Sequence, residues 1–460
     1  MEKQSKISTI KDLAGGPAPT ASKFDLKSIP KSEAVVAGGR LVRVPTSTSL
    51  PIFVNGGTVE IAVQPSESEW TALDQSYISA VISVVKIVNG RETLLPIGEK
   101  VAYNSMVLYS LFRQQSIAIN DVIVSGDGDT MYHYSTAMSI LALLNRRTQD
   151  GPLASTALFW STPGTLTETD PTTGTNPGLK LRYEMAELSA RSELAGPLMN
   201  PLSFTSRAFP PLTDFKFRFT LNFPYATLIT PPPGVGAQVP DFRIVLHSFD
   251  LYIQRYRLFP KAEETIWRGL GPAKNCLYPV AVPRVTTMSI ETGNYAGEKL
   301  LSYGGLARLP TFILIGLIDR NNSLSMTSGD KYNFAHFNVD EVAVSVDDVN
   351  YPPPPGYKPD FSTHRFGAAY YTTQRELIWA NDDRFGGYDA FNGGYTLWPI
   401  SLTNTMCPMD QVEVRPVEVG TLTVKVKLKT PTTTPITVII VSYYQQVLQI
   451  GRDRMPKWLD

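Results

Sequence analysis

Beyond about residue 35 the chain is dominated by runs in which apolar and polar positions take turns. Phe215-Lys-Phe-Arg-Phe-Thr-Leu-Asn-Phe223 puts Phe215, Phe217, Phe219, Leu221 and Phe223 on one side and polar groups on the other. That period of two marks a strand with one buried face. Thr421-Leu-Thr-Val-Lys-Val-Lys-Leu-Lys429 repeats it with Leu422, Val424, Val426 and Leu428 inward, and Val59, Ile61 and Val63 form a shorter version. The stretches 78–88 and 436–450 are long and β-branched, and 312–318 is wholly apolar. Ser116-Ile-Ala-Ile-Asn-Asp-Val-Ile-Val124 breaks at Asn120-Asp121, which predicts a tight hairpin.

Only two stretches carry a helical period. Over 131–146, Tyr134, Met138, Leu141 and Leu144 share one face. Pro260 opens a second helix, to Leu270, at the position where proline suits the first turn. Many strands, few helices and 36 prolines point to an all-β sandwich class and away from a parallel α/β sheet.

Pro231-Pro-Pro-Gly-Val-Gly-Ala-Gln-Val-Pro240 divides the chain into halves of similar plan: strands, a helix, a long loop, then strong closing strands. The long loops, about 149–180 and 351–395, exceed what a compact domain ordinarily tolerates without a use for them. The expected division is an arm (1–35), a first sandwich (36–232) and a second (233–460). The arm has no period of 2 or 3.6 and carries Lys3, Lys6, Lys11, Lys23, Lys27 and Lys31 against Glu2, Asp12 and Asp25.

Lys plus Arg and Asp plus Glu both number 42, and charged residues make up 18% of 460. A balance near zero favours no nucleic-acid or acidic partner, and it suits a subunit that buries much of its surface against copies of itself. The two cysteines, Cys276 and Cys407, form no CxxC pair, so neither a disulfide framework nor a cysteine-based zinc site is expected, and a reducing compartment fits. No apolar run is long enough to span a bilayer, and the first residues have no signal-peptide core.

The search for chemistry finds no constellation. His133, His247, His336 and His364 lack metal-ligand spacing. Gly126-Asp-Gly-Asp129 lacks the later ligands of a calcium loop and reads as a turn and cap before the helix. Asp382-Asp383 has no partner carboxylate that can be named, and Ser302-Tyr-Gly-Gly305 is a turn. GxSxG, P-loop and GxGxxG patterns are absent, and the aromatics lie in strand patterns without interleaved Arg or Lys, which favours core and interface use over base stacking. No catalytic, cofactor or metal residue is expected.

Several segments, taken in order, resemble one family: the double jelly-roll, hexon-like major capsid proteins of Polinton/Maverick elements, adintoviruses and polinton-like viruses. Tyr109-Ser-Leu-Phe-Arg-Gln-Gln-Ser-Ile-Ala-Ile-Asn-Asp121 is similar to its SLF strand running into a hairpin. Tyr132-His-Tyr-Ser135 with the helix to Leu144, and Glu193-Leu-Ala-Gly-Pro-Leu198, resemble its helix and closing strand. In the second half the matching segments are 249–258 with Pro260, Arg308-Leu-Pro-Thr-Phe-Ile-Leu-Ile-Gly-Leu-Ile-Asp319 and Tyr332-Asn-Phe-Ala-His-Phe-Asn338. They continue through Tyr351-Pro352, Pro359-Asp-Phe361, Gly393-Gly-Tyr395, Leu402-Thr403, 420–428, 436–443 and Ile450-Gly-Arg-Asp-Arg454. The shared order over roughly 55–454, more than any single motif, carries the likeness. Ser135, Thr311, Asp330-Lys331 and Pro399-Ile-Ser401 depart from the family pattern.

The resemblance implies two tandem eight-stranded jelly rolls with projecting loops, joined as a homotrimer of pseudo-hexagonal outline. Such trimers tile an icosahedral DNA-virus shell together with neighbouring capsomers, penton and minor capsid proteins. No enzyme activity, cofactor or small-molecule substrate is implied, and direct DNA contact is disfavoured. The arm lysines (Lys3, Lys6, Lys11, Lys23, Lys27) are expected to serve assembly. Tyr370, Tyr371, Trp379, Tyr388 and Trp398 are expected to anchor a loop interface. A domesticated capsid gene, a tandem-sandwich carbohydrate-binding protein or glycosidase, and a minor capsid or penton protein remain as alternatives.

Overall fold

The computed structural model describes residues 35–125, 131–144, 151–272, 275–301, 308–352, 356–377, 387–402 and 419–459. The first set of strands is β1 (Val36–Pro45), β2 (Ile52–Phe53), β3 (Thr58–Val63), β4 (Glu69–Val88), β5 (Arg91–Thr93), β6 (Ala102–Tyr103), β7 (Phe112–Ile119), β8 (Val122–Ser125), β9 (Ser192–Pro197), β10 (Phe215–Leu221), β11 (Leu228–Ile229) and β12 (Asp241–Leu258). One sheet runs β1-β12-β4-β5, with β2 beside β12 and β9 beside β4; the facing sheet runs β3-β10-β7-β8. The short pair β6–β11 stands apart. Phe219 of the second sheet and Phe249 of the first meet with ring centroids 5.0 Å apart, and Phe112 packs on both. As alternation demands, Phe215, Phe217, Phe219 and Leu221 are all buried. Phe223 falls beyond the strand end and is only half-buried, stacking on Tyr225.

The second set comprises β13 (Cys276–Ile290), β14 (Ala296–Leu301), β15 (Phe312–Asp319), β16 (Val339–Val346), β17 (Val349–Tyr351), β18 (Leu397–Ser401), β19 (Leu422–Leu428), β20 (Ile436–Ile450) and β21 (Pro456–Leu459). They form sheets β13-β20-β15-β18, with β21 beside β20, and β14-β19-β16-β17. Three two-residue hairpins turn at Asn89-Gly90, Asn120-Asp121 and Asp347-Asp348, each with both residues at positive φ. That backbone matches strand twist and tolerates Asn, Asp and Gly best.

The expected boundary at 231–240 falls inside the first sandwich. The strand that follows it, β12, returns to the first sheet and pairs with β4 over almost its whole length, from Asp241↔Ile87 to Arg257↔Glu69. A proline-rich stretch interrupts pairing whether it joins two domains or two strands of one, so composition could not separate these cases. Strands 36–258 and 276–459 share no sheet. The helix Pro260–Gly269 lies between them, and its Trp267 packs on Trp70 at 5.4 Å and under the Arg454 guanidinium at 4.9 Å.

The helix Tyr132–Leu143 has no solvent face: eleven of its twelve residues are buried. It sits between the two halves. Ser139 Oγ meets the Tyr443 hydroxyl of β20 at 2.6 Å, and Tyr134 packs edge-on against Tyr332 at 5.5 Å. This suits the apolar run of β15 and the continuously buried stretch 438–444 of β20, since a sheet covered on both faces needs no polar alternation. The long loops also hold structure not expected of them, with helices at Pro177–Ala186, Gly367–Leu377 and Gly387–Asn392.

Candidate functional site

The polar groups that join the halves come from loops far apart in sequence. Asp330, 1% exposed, accepts from Ser105 Oγ at 2.7 Å and the Tyr332 amide at 3.0 Å through one oxygen, and from Ser161 Oγ at 2.6 Å through the other. Arg182, fully buried on the Pro177–Ala186 helix, lies 3.8 Å from the same carboxylate. Its guanidinium also donates to the Tyr103 carbonyl at 2.9 Å, the Phe159 carbonyl and Ser161 Oγ at 3.0 Å. Burial pulls the Arg182 pKa down while Asp330 pulls it up. Lys331, also 1% exposed, donates its backbone N–H to Asn104 Oδ1 at 3.1 Å. The bonds to Asp330 and Arg182 satisfy two charges that would otherwise be very costly to bury, so the network holds the two halves in one register.

The backbone closes the same seam. The Asp330 amide donates to the Leu166 carbonyl at 2.8 Å, and Thr230 N–H to Met326 O at 2.9 Å. Gly329 sits at φ 84°, and a Cβ there would lie 2.6 Å from the Leu166 oxygen, so only glycine allows this approach. The two long loops meet each other within one chain. Gly164 N–H donates to Gly393 O at 2.7 Å, Tyr395 donates its hydroxyl to Ser161 O at 2.7 Å, and Trp160 packs edge-on against Tyr395 at 5.6 Å.

The residues expected to anchor an outer interface separate into distinct environments. Trp398 does not belong to a loop surface: it lies in β18, fully buried, opposite Ile315 and among Tyr357, Phe361 and Phe391. Pairing with β15 takes it inside, and the expectation of an interface role is corrected. Tyr370 is half-buried against Tyr388 and Phe391, and Tyr388 stacks on Phe366. Tyr371, 72% exposed on the Gly367–Leu377 helix, points outward. That helix is tied to β18 by Glu376, which accepts the Ser401 amide at 2.9 Å. Trp379, Cys407, the Asp382-Asp383 pair, Ser302–Gly305, Gly126–Asp129 and Lys3, Lys6, Lys11, Lys23 and Lys27 lie outside the described residues.

Among the described residues no three His, Cys, Asp or Glu side chains gather as a metal site, and no helix is long and apolar enough to cross a membrane. His133 is buried, and burial pushes it down to about 3. His247 pairs with Ser83 at 2.9 Å, and His336 stacks on Phe361 at 4.0 Å. No local pattern in the sequence marks Arg182, Ser105, Ser161 or Asn104. Asp330-Lys331 stands out only as a departure from a motif, and that departure is the one local signal of the seam.

No family model matches the sequence, and no curated protein matches it. Solved structures do match. The cryo-EM structure of the Sputnik virophage at 3.5 Å contains a chain that is 12% identical, with TM-score 0.59, covering 96% of this chain and 92% of that one. The mavirus major capsid protein is 10% identical, with TM-score 0.55 and coverage of 96% and 95%. The Faustovirus major capsid protein is 10% identical, with TM-score 0.54 and coverage of 94% of both chains. Likeness along the whole length makes the fold that of these proteins, the double jelly roll.

Proposed function

We propose that this chain is the major capsid protein of an icosahedral DNA virus and works as a structural tile, not as an enzyme. The supporting observation is the pair of sandwiches locked side by side through the buried Arg182–Asp330 seam. Two rigid walls in one chain, repeated about a three-fold axis, give six similar walls, and a closed ring of that outline covers a flat facet. The mavirus and Faustovirus proteins that share the fold are, by name, major capsid proteins. Neighbouring trimers, penton proteins and minor capsid proteins are the partners, and the virion shell is the location.

The walls have the means to tile. Strands such as β10 and β19 place a basic outer row over an apolar inner one, and the charges are matched by acids on the adjoining strands and loops: Arg218 by Glu60 at 3.1 Å, Lys427 by Asp340 at 3.0 Å. Matched, exposed pairs add little stability, and they leave a wall without a strong field of either sign. The exposed Tyr371 and Tyr388 offer aromatic anchors at the helical end of the second sandwich.

Electron microscopy of the purified chain tests the proposal. Trimers of hexagonal outline, or closed shells, are expected; a uniform population of monomers that binds sugar would overturn it. The arm is assigned to contacts between trimers. A chain lacking residues 1–31 should therefore still form trimers but fail to close particles, and normal particles from it would remove the arm from assembly.

A further inference from the structure

The seam holds a lysine whose charge no acid among the described residues pairs with. The Lys331 amine donates to the Gly329 carbonyl at 2.8 Å and to Asn322 Oδ1 at 3.4 Å, both neutral acceptors. Asn322 is held in turn by its Nδ2 donating to the Asp330 carbonyl at 2.9 Å. The acid whose charge acts on the amine is Asp330, but its two oxygens are already taken up by Ser105, Ser161, the Tyr332 amide and Arg182. Among the described residues no carboxylate lies within ion-pair distance of the amine. Arg182 and Asp330 cancel, so the buried network is neutral only while Lys331 is neutral too.

We propose that this seam is a proton-operated latch: a proton taken up at the Lys331 amine leaves one unmatched positive charge buried between the sandwiches and loosens their contact. The residue is well placed to act on both halves, because its own backbone N–H holds Asn104 of the first sandwich.

Other ionisable groups around it do not compete. His133 stays neutral at any pH above about 3. Tyr134, Tyr332 and Tyr395 are buried, and burial drives their pKa values upward, so they too remain uncharged. Arg320, beside Asn322 in sequence, turns out to Glu291 at 2.7 Å. Burial pushes Lys331 down from an ordinary 10.5 to about 7, only partly offset by Asp330.

The direction of the effect follows. Between about 7 and 10.5 the unfolded chain holds a proton that the folded chain lacks, so this residue makes stability rise with pH across that window. Below about 7 the folded seam carries the charge and is at its weakest. The inference stands on the seam alone, whether or not the chain builds a shell. In a shell, proton uptake would act on the joint between the two walls of each tile.

Two variants fix the end states. Lys331→Met mimics the uncharged seam, and Lys331→Arg keeps the charge at every pH. Thermal unfolding of the whole chain between about pH 6 and pH 9.5 should show the wild type approaching the arginine variant at the acid end and the methionine variant at the alkaline end. Wild-type and methionine curves that run parallel across the window would overturn the latch. Hydrogen exchange at one pH supplies the local readout. The amides of 330–332 should be less protected in Lys331→Arg than in Lys331→Met, and equal protection would count against loosening at the seam. If the arginine variant does not fold, the wild type at pH 6.5 takes its place in that comparison, with the same expected order.

Discussion

Replacing Asp330 by alanine is expected to lower the stability of the folded chain by about 3–5 kcal/mol, because it strips a buried guanidinium of its counter-charge. Arg182 has no exposed surface to fall back on, and its other acceptors are two carbonyls and a hydroxyl. The loss also releases Ser105 and Ser161 from the second half, so the seam loses its bridge as well as its charge balance. Urea unfolding of the two proteins measures this. A difference below about 1 kcal/mol would mean that the network is a passenger and that the apolar contacts alone hold the halves. Adding Arg182→Met to the alanine variant should recover part of the loss, since a buried pair costs less to remove whole than to break. A double variant as unstable as the sum of its parts would contradict that coupling.

Where the sequence was legible, one local physical rule governed the outcome. The alternation of 215–221 and 422–428 depends only on one face being covered, and both strands appear with the expected residues inside. The Asn120-Asp121 turn depends on two residues that accept positive φ, and it too appears. The Tyr132–Leu143 helix shows where local reading stops. Its predicted stripe of Tyr134, Met138, Leu141 and Leu144 implied one wet face, but the other sandwich covers that face. The seam was hidden for the same reason. Asp330 and Ser105 are 225 positions apart, and a lone Asp, Lys or Arg in a loop reads as a solvated charge until the fold encloses it.

Trp398 gives the sharpest contrast between an anchor and a core residue. Trp398→Ala should cost about 3–5 kcal/mol in the isolated chain, as large aromatic truncations in cores do. The indole is enclosed by Tyr357, Phe361 and Phe391, with centroids 5.2, 6.4 and 5.3 Å away, and no solvent reaches it. Trp398→Phe should cost only about 1–2 kcal/mol, because it gives up part of the apolar area and no hydrogen bond. Among the described residues the indole N–H has no acceptor, so the substitution also removes a buried donor left unpaired. Tyr371→Ala, at 72% exposure, is the opposite case: it should move the stability of the chain by less than about 0.5 kcal/mol, and any effect should appear when trimers or shells form. Urea unfolding of the three variants, set beside their trimer content, separates the roles. A stable Trp398→Ala chain that fails to trimerise would put the tryptophan back at an interface and would mean that the β15–β18 pairing had been read wrongly.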